Sequence, residues 1–229
     1  MNVPGSMLSV VHPHPPSDSQ PDLFDTLREQ IVSHRIPPGS RLREQQLVDQ
    51  YGVARAKVRD VLAALEQRGL VERIPNRGAI VVRYDTAQVA DIYQVREVLE
   101  GLMVRLATEK SSPDSWRDLL AEFEGPMRAH VENKDFEAFV EGYERFRQRV
   151  REAAANPALE QVMDGIYEKT SMIIRRVIVL PGRATEGLRQ HTAVLQAMCR
   201  GDAAEAERLR RENMRSAREV LLHFKDFIL

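Results

Sequence analysis

The stretch GVARAKVRDVLAALEQRGLVERIPNRGAIVV, residues 52–82, limits the fold more narrowly than any other part of the chain. Val58, Val61, Leu62 and Leu65 recur at helical spacing up to Gly69, so one face of a helix is apolar. Ahead of it, Glu44 to Tyr51 reads as a short helix and Gly52-Val53 as a tight turn. Behind it, LVERI and AIVV are strand-like pieces joined by the turn PNRG. Helix, short glycine turn, helix and hairpin predict a helix-turn-helix with a β wing. An earlier helix is expected over DLFDTLREQIVSHRI, on Leu23, Leu27, Ile31 and Ile36, ended by Pro37-Pro38-Gly39.

Charge gives this segment a use. Inward-facing Val58, Val61 and Leu62 leave Arg55 and Arg59 on an outward face at the start of the second helix, with Lys57 between them in sequence. A recognition helix presents its N-terminal residues to base edges in the major groove, where arginine can fork onto guanine. Arg77 and Gly78 stand at the tip of a wing suited to lie on the DNA backbone or in the minor groove. Residues 22–84 carry eleven Lys/Arg against eight Asp/Glu, whereas the whole chain has 33 against 34. An asymmetry this small permits nucleic-acid binding without requiring it.

Residues 36–82, with the phrase GV-x-R-x-x-VR-x-x-L-x-x-L-x-x-x-GLV-x-x-x-P-x-RG, resemble the winged helix-turn-helix of GntR-type bacterial transcription regulators. The resemblance implies DNA contact by Arg55 and Arg59 and a close approach to DNA by Gly78. This chain departs from the pattern at three places: Ala54 replaces the usual serine, Lys57 the usual proline, and Gln45 a common arginine. Ala54 has no side-chain oxygen to cap the helix, a loss of about 1 kcal/mol in typical cases. Gln45 and Lys57 stay among the expected DNA-contacting residues, with an altered operator preference.

From Asp85 onward the pattern is helical throughout, in six segments at about 86–110, 113–133, 136–155, 157–180, 184–200 and 203–225. Ser112-Pro113, Asn156-Pro157 and Pro181-Gly182 mark breaks, and Gly201-Asp202 with Glu205 forms a capping-box-like arrangement. The fold class is therefore mainly α: a winged helix-turn-helix at 21–84 and an antiparallel all-α bundle at 85–229, behind a disordered tail at 1–20. Cys199, the single cysteine, is expected near an apolar face as a buried thiol.

Four of these helices aim a polar side chain where the period demands an apolar one. At 100° per residue, Phe136, Phe139, Val140, Tyr143, Phe146 and Val150 span about 120°, and Arg147 falls inside the arc, with no acidic residue within a turn on that face. Arg96, His191 and Asn213 fall likewise among apolar neighbours. Buried charges need partners, so these groups should converge on one another, on water or on a bound anion. Each also has an ordinary reading: Arg96 as an internal pair with Glu100, His191 and Asn213 as satisfied core polar groups. Arg175 and Arg176 are further candidate cations.

Residues 85–225, with IYQVREVLEG, FRQRVREAAANPAL and QHTAVLQAMCRGDAAEA, resemble the FCD ligand-binding domain of the FadR branch of the same family. Many members hold a divalent metal through an aspartate and three histidines. The resemblance sets Tyr143, Arg147, His191 and Asn213 at those positions, so one imidazole survives and no metal cofactor is expected. In the metal's place, Arg147 is expected to hold a carboxylate effector bidentately, with hydrogen bonds from Arg96, Tyr143, His191 and Asn213.

No HExxH, phosphate-cradling glycine loop, CxxC or G-x-S-x-G occurs, so an enzyme is not expected. No apolar run approaches the roughly 20 residues of a membrane span, and the N-terminus lacks a secretory pattern, which predicts a cytoplasmic protein. The resemblance implies a homodimer on pseudo-palindromic operator DNA, acting as a repressor under a small organic acid. The competing reading is a helical domain that only dimerises.

Overall fold

The computed structural model describes residues 22–75 and 78–225, apart from the side chains at 171, 172 and 174–176. The expected tail at 1–20, Arg77, and the side chains of Arg175 and Arg176 lie outside the described residues.

Helix α1, Leu23–Val32, buries Leu23, Leu27 and Ile31. It ends four residues before the expected Ile36, because His34 enters the left-handed region at φ 59 and the Ile36 N–H turns back to the Gln30 carbonyl at 2.8 Å. Strand β1, Arg41–Leu42, leads into α2, Glu44–Tyr51, whose C-terminal residue Gly52 supplies the left-handed turn at φ 64 that redirects the chain. Helix α3, Arg55–Gln67, buries the expected Val58, Val61, Leu62 and Leu65, and Ala54 caps it without a side-chain bond. Strands β2, Val71–Ile74, and β3, Gly78–Val81, form the hairpin.

Strand β1 was not foreseen, and it completes a three-stranded antiparallel sheet in the order β1-β3-β2, pairing Arg41 with Ile80 and Leu42 with Ala79. Gly78 is buried beneath it. A Cβ at Gly78 would stand 2.0 Å from the Leu42 carbonyl oxygen, and the backbone there has φ 97. Glycine is thus required at 78 for the sheet to close, a packing role distinct from the expected approach to DNA.

The second domain is built around α4, Thr86–Lys110, opened by a capping box in which Asp85 and Gln88 bond each other's backbone N–H at 2.8 and 2.9 Å. The expected helix over 113–133 is broken into a 3-10 turn, Pro113–Trp116, then α5, Arg117–Glu124, and α6, Pro126–Glu132. Pro126 has no N–H to continue α5 and displaces Gly125 to φ −112, ψ −93. Helices α7, Phe136–Ala154, α8, Pro157–Ile178, α9, Arg183–Cys199, and α10, Ala203–His223, complete the bundle. Helix α4 packs along α10, α7 and α8. Cys199 packs against the main core of this domain, half-buried.

The two domains meet tightly. Glu168 of α8, 6% exposed at its side chain, receives Arg28 of α1 at 3.0 Å and also Arg68 from the end of α3. Tyr84 packs against both cores and donates its hydroxyl to the Gly69 carbonyl at 2.6 Å.

Candidate functional site

Two sites emerge, one on each domain. On the first, α2, the start of α3 and the sheet enclose a depression of about 670 Å³ lined by Arg41, Arg43, Glu44, Gln45, Arg55, Arg59, Ile74 and Ala79. Four guanidinium groups face one carboxylate there, so the surface attracts anions. Arg59 Nε donates to Glu44 Oε2 at 3.0 Å, and Arg55 donates to Gln45, which in turn donates to Asp49 at 2.8 Å. These exposed bonds hold the arginines side by side at little energetic cost to a competing phosphate. The uncapped N–H groups of α3 point from the same end.

Arg55, Arg59 and Gln45 are brought together as the sequence predicts. Lys57 is not: its ammonium lies 3.2 Å from Asp22, the residue capping α1, and holds that carboxyl below its ordinary range. Arg41 and Arg43 were missed because their placement depends on β1, and two residues are too few to show an alternating pattern.

The second site is inside the bundle, where Arg96 and Glu100 of α4, Tyr143 of α7, His191 of α9 and Asn213 of α10 converge. At their centre is a residue the sequence reading overlooked. Arg210, fully buried, donates through Nε and Nη2 to Glu100, through Nη2 to the Tyr143 hydroxyl at 3.0 Å, and through Nη1 to Asn213 Oδ1 and His191 Nε2, both at 2.9 Å. All five of its N–H donors are used. Glu100 also accepts from Arg96 at 2.7 Å, the internal pair that was one of the two readings of Arg96.

Protonation follows from this geometry. His191 Nδ1 lies 2.6 Å from the Gly187 carbonyl and must donate to it, so Nε2 is the lone pair that accepts from Arg210. Burial, together with Arg210, pushes the imidazole down to about 3, and it is neutral. Burial alone would raise the Glu100 carboxyl, but Arg210 and Arg96 overcome it and hold it at about 2.

Beside this cluster is a cavity of about 50 Å³, lined in part by Tyr93, Arg96, Tyr143, Arg183, His191 and Asn213. Arg183, at the first position of α9, is 7% exposed and donates to Gln190 Oε1 at 3.2 Å; Asn213 Nδ2 donates to the same oxygen at 2.6 Å. Arg183 escaped the sequence reading because that helix was expected to start at 184.

Arg147 does not join them. Its guanidinium lies 3.6 Å from the centre of the Tyr167 ring and 2.7 Å from Glu144, in a separate groove of about 550 Å³ facing α1. Tyr143 and Phe146 fill the inward face of α7, and the long arginine stem passes beside them to stack on the Tyr167 ring, its side chain 11% exposed. The cation at the heart of the bundle is Arg210 instead. Nor do the residues fit a divalent ion: Tyr143, His191 and Asn213 converge as ligands would, but on Arg210, which occupies the imidazole lone pair. Among the described residues no group of three or more His, Cys, Asp or Glu is placed to hold a metal.

Comparison with known proteins gives a consistent picture. Residues 91–216 match the FCD domain family, and residues 20–81 match the family described as bacterial regulatory proteins, gntR family. The galactonate operon transcriptional repressor of Escherichia coli K12 is 27% identical over 204 residues, covering 79% of this chain and 87% of that protein. The HTH-type transcriptional repressor RspR of the same strain is 23% identical over 209 residues, covering 91% and 90%. Among solved structures, E. coli McbR/YncC superposes with a TM-score of 0.72 at 20% identity, over 89% of this chain and 96% of that one, a likeness of fold.

Proposed function

The chain belongs to the gntR family of bacterial regulatory proteins and carries its FCD domain, and from there we propose that it is a repressor whose grip on operator DNA is set by a small organic acid bound in the helical domain without metal. That it is a DNA-binding transcriptional regulator, and no enzyme, follows from its two domains and its relatives. The sign of regulation is taken from relatives named as repressors. Two copies joined through the helical domain would place two recognition helices on two half-sites, in the cytoplasm where the DNA is.

The observation that carries the DNA reading is the row of Arg41, Arg43, Arg55 and Arg59 around the N-terminal end of α3. On this reading Arg55 and Arg59 would meet base edges, and Arg41 and Arg43 phosphates. Arg55→Ala and Arg59→Ala should each weaken operator binding about 10- to 100-fold, the value of a bidentate arginine–guanine pair. Fluorescence anisotropy against salt concentration measures this, and unchanged affinity in both variants would refute the assignment.

For the effector reading the supporting observation is the cation-lined cavity on α4, α9 and α10. An effector shifts operator affinity only by its differential affinity for the two arrangements of the dimer. The competing reading, a domain that only dimerises, draws on how completely Arg210 is satisfied by protein groups. Organic acids that raise the melting temperature of the chelator-treated protein and alter operator affinity support a sensor; no response to any acid supports the dimerisation domain.

A further inference from the structure

Three arginines of the bundle core, Arg96, Arg183 and Arg210, are at least nine-tenths buried, and among the described residues the one buried carboxylate that pairs with any of them is Glu100. His191 is neutral, so the cluster carries a surplus of two positive charges. Charge buried without a counter-charge is costly, and a protein that keeps it has a partner for it.

The surplus is localised. Arg210 spends every donor on protein groups, whereas Arg96 keeps Nε buried with no partner and Arg183 makes one hydrogen bond, to neutral Gln190, and no ion pair among the described residues. Both line the same cavity. Burial holds the Arg183 guanidinium below its ordinary range, only partly offset by Tyr93, Tyr143 and Glu186. The cavity, about 50 Å³, has room for about four water-sized groups before anything moves.

We infer that the Arg210 guanidinium stands where relatives with an intact ligand set would hold a metal ion, and that the cavity beside it receives a compact dianion, a short-chain dicarboxylate, gripped by Arg96 and Arg183. This rests on the effector reading above and narrows it. Arg210 supplies the fixed positive charge that an ion would supply and takes the three ligand positions with it: Tyr143, His191 and Asn213 all orient to its N–H groups. The ligand then meets two guanidinium groups directly, one carboxylate for each, and neutralises the surplus.

The test is calorimetric titration of the full-length, chelator-treated protein with oxalate, malonate, sulfate and acetate, each without and with zinc chloride, for the native chain and for Arg183→Met and Arg183→Lys. Oxalate or malonate should bind without metal, at least about tenfold more tightly than acetate, and Arg183→Met should lose about 10- to 100-fold, one charge-assisted contact. Arg183→Met should keep or raise its melting temperature, since it removes an uncompensated buried charge, and Arg183→Lys should recover part of the affinity. Acetate binding as well as the dicarboxylates, sulfate outcompeting both, binding only with zinc, or indifference to Arg183→Met would each overturn the inference while leaving an effector domain in place. No binding of any anion would overturn the effector reading as well.

Discussion

His191 should make the protein sensitive to mild acid. In the fold its Nε2 accepts from Arg210 at 2.9 Å and its Nδ1–H is spent on the Gly187 carbonyl at 2.6 Å, so a proton has nowhere to go. The charged groups around it are Arg210 of α10, Arg183 of its own helix and Glu100 of α4, with the Tyr143 hydroxyl from α7; burial first, and then the arginines, lower its pKa from 6.5 to about 3. The folded pKa is therefore below the unfolded one. Below 6.5 the unfolded chain takes up a proton that the folded chain refuses, so stability present at neutral pH is lost as pH falls toward 3. The slope is about 1.4 kcal/mol per pH unit, which makes the loss about 2 kcal/mol by about pH 5. Glu100 pulls in the same direction, but its stabilisation is lost only between 4.5 and about 2, outside that interval. Urea unfolding at about pH 7 and about pH 5, for the native chain and for His191→Gln, isolates the effect, because every other titrating group cancels in the difference. The native chain should lose about 2 kcal/mol more than the variant over that interval. Equal losses would mean that the imidazole is not held neutral, and the hydrogen-bond assignment around Arg210 would fall with it.

Arg210→Met should destabilise the protein by about 3–5 kcal/mol in chemical denaturation, since it leaves Glu100 half-paired and strips a donor from Tyr143, His191 and Asn213. Gly78→Ala should cost about 2 kcal/mol or more and loosen the wing, because the new methyl meets the Leu42 carbonyl in a left-handed backbone; hydrogen exchange at Val81, whose N–H bonds the Ser40 carbonyl at 2.9 Å, would read the loss of β1 pairing. Arg41→Ala should weaken DNA binding similarly for specific and random duplexes and reduce the salt slope by about 1, the signature of a phosphate contact.

The recognition unit was legible because each of its parts has a local cause. Leu65 and Val58 set the phase of α3, Gly52 permits the left-handed turn, and the hairpin strands are long enough to show apolar runs. Strand β1 was not legible, since two residues have no period, and with it went Arg41, Arg43 and the packing role of Gly78. Gly125-Pro126 is a break that the residues announce, yet the strong period on either side of it hid the interruption. In the bundle, periodicity named Arg96, His191 and Asn213 as inward polar groups, but not Arg210, which lies on the same buried face of α10 as Met214, Ala217 and Leu221. Arg147 shows the converse: helical phase places a Cβ, and a long side chain then carries its charge elsewhere.

Helix α4 gives the molecule leverage. It starts five residues after β3 ends, leaving little slack between wing and bundle, and its 25 residues form one unbroken rod with Arg96 and Glu100 near its middle. At about 1.5 Å per residue the rod is about 37 Å long, so a tilt of about 5° swings one end by about 3 Å relative to the other. The spacing between stacked base pairs is about 3.4 Å. Arg96 is ten residues, about 15 Å, from the wing end, so the same tilt about the proposed effector site would move that end by about 1.3 Å, roughly a third of a rung on the DNA ladder.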